Sequence, residues 1–172
     1  MFPEIIELTP NIYSDIRGEN FETFNVQSHA FLNKTFITDT FSKSKKNVIR
    51  GLHGDTKTTK LVQCLQGEIF LVVVDFRKES STFLKYCSFK LSEQNRKQIL
   101  IPPNFLNGHA CISTNCLFSY KLDQLYNPDQ ISIYYKDPIL NIHWPIENPI
   151  LSERDKQAMT IDKYLNNSYN KL

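Results

Sequence analysis

Histidine is scarce in this 172-residue chain, and its placement excludes one class of chemistry. The four are His29, His53, His109 and His143; no His-x-His pair exists, and Gly54 and Asp55 follow His53. A β-barrel oxygenase holds its metal with two or three histidines and a carboxylate, two ligands alternating along one strand. The chain lacks that donor set, so no catalytic metal and no cofactor are expected. Cysteine is sparse too. Cys64, Cys87, Cys111 and Cys116 form no CxxC pair, so no zinc pattern is present and they read as reduced core thiols. Long apolar runs are missing: the longest, residues 69–74, is strand-sized, far short of the roughly 20 residues of a membrane span. The start, Met1-Phe2-Pro3-Glu4, lacks the basic and apolar regions of an export signal, and a cytoplasmic location is expected. A net charge of +2 gives no large field, so neither nucleic acid nor a membrane is an expected partner. No repeat, low-complexity tract or linker divides the chain, and residues 1–172 are expected to form one domain.

What is present is strand pattern. Residues 61–64 and 68–74 are β-branched runs parted by the turn Leu65-Gln66-Gly67. Val72-Val73-Val74 is too uniformly apolar for a half-exposed strand, which predicts cover on both faces. Further strands are predicted at 82–91, 98–101 (stopped by Pro102-Pro103), 110–113, 117–122 and 131–135. Turn signals about every 8–12 residues suit an all-β sandwich or barrel. Helix signals are few: a single turn at Ser92-Glu93-Gln94-Asn95, and a cap-plus-acid start at Ser152-Glu153-Arg154-Asp155. The tail 164–172, rich in Asn, Lys and Tyr, is expected to fray.

Single residues say little about function. His53, in Asn47-Val48-Ile49-Arg50-Gly51-Leu52-His53-Gly54-Asp55, reads alone as a hydrogen-bonded structural histidine, and Arg50 as a surface ion-pair residue. Gly51 between them lets backbone approach closely. The order of motifs says more. Asp15-Ile16-Arg17-Gly18; Arg50-Gly51-Leu52-His53; Lys60-Leu61-Val62; the run 67–77; Ser80-Ser81-Thr82-Phe83; Tyr120-Lys121 with Tyr126-Asn127-Pro128; Asp137-Pro138 with Ile142-His143-Trp144-Pro145; and Leu151-Ser152-Glu153-Arg154-Asp155 follow one another through nearly the whole chain. In this order they resemble the dTDP-4-dehydrorhamnose 3,5-epimerase family.

The resemblance implies a cupin, a jelly-roll antiparallel β-barrel with a few short, mainly C-terminal helices, working as a metal-free homodimer. It implies a nucleotide-linked 4-keto-6-deoxy sugar as substrate, inverted at C3, C5 or both. His53 matches the family's base and Asp155 its carboxylate partner. Tyr120 matches the acid on the other face of the sugar ring, and Lys60 the cation at the ketone oxygen. Arg17, Arg50 and Arg154 match cations near the diphosphate, Glu22 an acidic nucleotide contact, and Tyr126 an aromatic that packs on the base.

The departures cluster. The family's Ala-His-Gly-Phe reads Leu106-Asn107-Gly108-His109, so a substrate-binding histidine is Asn107 and a new histidine appears at 109. Two residues apart, they share one strand face. Thr38-Asp39-Thr40 and Asn20 stand where the family contacts the thymine nucleotide, and Gly54-Asp55 replaces an aromatic-x-Gln. Leu71 stands where an acid usually partners the lysine, so Lys60 is expected to lose that partner. With Asn107 and His109, the run 47–55 resembles a branch acting on GDP-linked 4-keto heptoses in capsule synthesis. This favours a GDP-linked over a dTDP-linked substrate. Two other readings stay open: a nucleotide-sugar-binding cupin without turnover, and a 3,4-ketoisomerase on the same scaffold.

Overall fold

Short β-branched runs separated by turns pair here into two antiparallel sheets, seen in a computed structural model that describes residues 2–169. One five-stranded sheet has the order β1 (Ile6–Leu8), β9 (Gln98–Ile101), β6 (Lys60–Gln66), β11 (Asn115–Leu122) and β4 (Thr38–Lys45). The other has the order β12 (Ile131–Ser132), β5 (Ile49–Gly54), β10 (Phe105–Cys111), β7 (Glu68–Asp75) and β8 (Tyr86–Ser92). A separate hairpin joins β2 (Ile12–Asp15) to β3 (Gly18–Phe21). Two helices, α1 (Glu153–Lys156) and α2 (Ile161–Tyr169), follow the last strand. No helix among the described residues is long and apolar enough to cross a membrane.

The space between the sheets is divided. One end is core: Val62 and Cys64 of β6, Ile69, Leu71 and Val73 of β7, Phe105 and Cys111 of β10, and Cys116 and Phe118 of β11 pack together. The other end is open and polar. Outside the second sheet, Leu52, Val72, Val74 and Leu106 are covered by Ile133, Leu140, Ile142 and Ile161. Val72, Val73 and Val74 are therefore all fully buried, as the uniform run predicts.

Other expectations shift for identifiable reasons. β8 begins at Tyr86 rather than 82, because the preceding loop is folded onto Asp75, whose carboxylate accepts from Ser80 Oγ and Thr82 Oγ1, both at 2.6 Å. β10 begins at Phe105 rather than 110; its inward positions Asn107 and His109 are polar because they face the open end. Residues 92–95 do form the single turn expected, with Arg96 N–H donating to Ser92 O at 3.0 Å and Ser92 and Asn95 bonding each other's backbone N–H at 3.1 Å. The strand expected over 131–135 stops at Ser132, where Tyr134 N–H leaves the ladder for the carbonyl of Met159. α2 occupies much of the segment expected to fray; residues 170–172 of that expectation lie outside the described ones.

The local feature that shapes the open end is a bulge in β5. β10 pairs Asn107 with His53 and His109 with Arg50, so two steps on β10 oppose three on β5. Gly51 sits at this irregularity with φ +121°. A Cβ there would lie 2.5 Å from Gly108 Cα and 2.8 Å from the Asn107 carbonyl oxygen. Gly51→Ala is expected to destabilise the protein by about 3 kcal/mol or more, because the conformation and the backbone contact both exclude a side chain. Urea unfolding measures it; a loss below 1 kcal/mol would show that the crossing can relax.

Candidate active site

The open end holds a cavity of ≈ 390 Å³ between the sheets. Its walls are inward positions of five strands, and its mouth is formed by the loop after β11 and the segment leading to α1. In a regular strand, residues three apart face opposite sides. The β5 bulge cancels that rule, and Arg50 and His53 both line the cavity.

Asp155 reaches His53 from far along the chain. Ile49 N–H donates to Ile150 O at 3.1 Å and Ile150 N–H to Asn47 O at 2.8 Å, which ties the segment before α1 to the start of β5. Ser152 caps α1: its Oγ accepts from Asp155 N–H at 3.2 Å and donates to Asp155 Oδ2 at 2.8 Å. Asp155 Oδ1 then lies 2.7 Å from His53 Nε2. The approach is short but off the line of a good hydrogen bond, so it acts chiefly as an ion pair once the ring is protonated. Burial pushes the Asp155 carboxyl up; the contacts with His53, Ser152 and Gly51 N–H outweigh this and hold it below its ordinary value. With Nε2 taken, Nδ1 is the ring nitrogen left to accept a proton.

The opposite sheet supplies Lys60 and Tyr120, on β6 and β11. Lys60 is 9% exposed, and its Nζ donates to Asn107 Oδ1 at 2.7 Å and to His53 O at 3.4 Å. The expected loss of a carboxylate partner is thus met by Asn107, one of the departures, while Leu71 is sealed in the core. Burial lowers the Lys60 ammonium to about 8, against the opposing pull of the Asp55 charge. Tyr120 is half-buried, and burial raises its phenol more than Arg50 lowers it, so at neutral pH it is a proton donor.

Of the remaining sequence candidates, Asn107, His109, Arg50, Tyr126 and Arg154 line the cavity. Arg50 Nε donates to Ser44 Oγ at 3.0 Å, and Arg154 is held by Ser132 Oγ at 2.9 Å. Tyr126 is 72% exposed at the mouth. Arg17 and Glu22 are not brought to the cavity by this chain: Arg17 is exposed on the β2–β3 turn, paired with Asp15, and Glu22 bonds Asn25. Sequence reasoning missed Ser42, Thr58, Val62, Phe118 and Ser152. Ser42 had a readable signal, since Thr38, Thr40 and Ser42 alternate along β4 and all face the cavity.

Known proteins resemble this chain over nearly its whole length. Residues 1–163 match the model of the family described as dTDP-4-dehydrorhamnose 3,5-epimerase. The chain belongs to that family. A relative of that name in Salmonella typhimurium is 40% identical over 171 residues, 95% of this chain and 93% of the relative. Another, from Methanothermobacter thermautotrophicus, is 38% identical over 159 residues, 88% of this chain and 86% of the relative. The crystal structure of the Legionella pneumophila dTDP-6-deoxy-D-glucose-3,5-epimerase in complex with dTDP-4-keto-L-rhamnose superposes with a TM-score of 0.89 at 37% identity, covering 94% of this chain and 89% of that one. The Mycobacterium tuberculosis epimerase gives 0.90 at 31% identity, over 96% of this chain and 88% of that one. The expected cupin fold therefore stands, and membership makes the chain an isomerase.

Lys60 carries a measurable signature. Its folded value lies below the ordinary lysine value of 10.5, so below about pH 8 the fold holds a proton that the unfolded chain binds more tightly. Stability rises with pH from about 8 to 10.5 for this group. Lys60→Met removes the effect, so the variant's stability relative to wild type should fall by about 3 kcal/mol between pH 7 and pH 11. Urea unfolding at the two pH values checks the sign; no change in the difference would mean that Lys60 titrates normally.

Proposed function

We propose that this protein inverts C3, C5 or both in a nucleotide-linked 4-keto-6-deoxy sugar bound between the two sheets. The observation that carries the proposal is the pairing of His53 with Asp155 on one wall while Lys60 and Tyr120 face them from the other. The C4 ketone acidifies the adjacent C–H bonds. His53 Nδ1 takes that proton, and Asp155 stabilises the imidazolium. The electron pair passes to the ketone oxygen, where the Lys60 ammonium, aimed by Asn107 and buried in a low dielectric, stabilises the enolate. Tyr120 returns a proton to the carbon from the opposite face. Arg50 and Arg154 suit the diphosphate, and Tyr126 at the mouth offers a face to the base.

A GDP-linked heptose is the favoured substrate and a dTDP-linked hexose the other. Supporting the first, Thr38 and Thr40 line the cavity where the resemblance leads one to expect thymine contacts, while Asp39 turns away to pair with Lys121. The relatives carry dTDP in their names, which is why both sugars belong in the test. The protein is read as one cytoplasmic domain that works as a homodimer in capsule synthesis. Supporting the dimer, the two-stranded β2–β3 sheet stands apart from the others with Ile12, Tyr13 and Ile16 exposed, and such a hairpin is marginal alone. The partner's hairpin is the route by which Arg17 and Glu22 would reach a site.

Mass spectrometry in D₂O with each sugar tests the chemistry. Deuterium uptake is expected, and His53→Asn should slow it by about 10²–10⁴-fold. Uptake that survives the substitution would remove His53 as the base. Sedimentation equilibrium is expected to give twice the chain mass of 20.1 kDa; a monomer at all working concentrations would end the dimer reading.

A further inference from the structure

Two polar atoms in the cavity wall lack partners. His109 is 3% exposed, its Nε2 is sealed from solvent, and that atom makes no hydrogen bond. Ser42 Oγ is sealed and unbonded in the same way. The two come from opposite sheets and meet at one ring. His109 packs on Phe118 with centroids 4.2 Å apart, and Ser42 stands directly opposite Phe118 in the β4–β11 ladder. Both residues line the cavity, beside the apolar surface of Phe118 and Val62.

An unbonded polar atom kept from water is destabilising. Two such atoms in one cavity wall ask for a ligand group that both donates and accepts. Burial, together with the nearby Arg50 and His53 charges, lowers the His109 imidazole to about 3 against the opposing charge of Asp155, so the ring is neutral. A neutral imidazole and a hydroxyl are matched by an alcohol; a carboxylate or phosphate would want a cation, and a methyl would leave both atoms unpaired.

We infer that His109 and Ser42 form a hydroxyl-binding subsite in the cavity wall, which takes a hydroxylated carbon carried beyond C6 of the sugar. The CH₂ of that arm lies against Phe118 and its oxygen bridges Nε2 and Oγ. A 6-deoxyhexose ends at its C6 methyl and cannot fill the subsite, whereas a 6-deoxyheptose can. The inference rests on the sugar-epimerase reading and specifies the sugar's length.

The test compares GDP-linked 4-keto-6-deoxyheptose with its hexose counterpart in wild type, Ser42→Ala and His109→Phe. In wild type, kcat/KM should favour the heptose, and each substitution should cut the heptose-to-hexose ratio by about ten- to a hundredfold through KM. A ratio unmoved by either substitution, or a wild type that prefers the hexose, overturns the subsite and leaves the epimerase reading standing. Should neither sugar exchange deuterium, the epimerase reading falls and binding decides the subsite. The nitrogen NMR signal of His109 Nε2 should then move when the heptose nucleotide saturates the protein and stay put with the hexose nucleotide. The same spectrum with both overturns it.

Discussion

A strand alternates sides, and the site depends on one place where it does not. The extra residue at Gly51 puts Arg50 and His53 on the same wall, with Leu52 in the outer core. The crossing of Gly51 over Gly108 is so close that neither strand has room there for a side chain. The same turn of backbone directs Gly51 N–H at the Asp155 carboxylate. The carboxylate, the imidazole and the strand geometry thus meet at one irregularity, and the rest of β5 can remain regular. Bulges commonly re-aim side chains in this way beside active sites.

Charge in the cavity is arranged by what has been removed as much as by what is present. Lys60 spans from the middle strand of one sheet to Asn107 on the middle strand of the other. Its two hydrogen bonds are to neutral groups, the Asn107 amide and the His53 carbonyl, and position 71 is a core leucine. An ammonium with less anionic compensation interacts more strongly with charge that develops on a ligand. The cost is a depressed proton affinity, which ties Lys60 to a narrower range of pH.

Much of this was legible in the sequence, and the gaps have physical causes. Residues 98–101 read as a strand because both faces are apolar and two prolines stop it. β10 was half hidden because a strand that lines a polar cavity loses the alternation that marks strands elsewhere. α1 was readable from its Ser152 cap. His53 and Asp155 could be joined only through resemblance, since no local pattern expresses a contact made by the 150-to-49 backbone pairing. Lys60 with Asn107 shows the reverse: the partner lost at Leu71 and the change to Asn107 looked like separate losses, yet in space Asn107 is what bonds Lys60.

The carboxylate that pairs with His53 lies after the last strand. A ribosome makes every strand of both sheets before it reaches Asp155. A chain that stops short of α1 has all the strand residues, yet it offers no carboxylate to the His53 imidazole and no Ile161 to the outer core. The contact between the imidazole and its carboxylate is therefore among the last that synthesis makes available, later than every rung of either sheet.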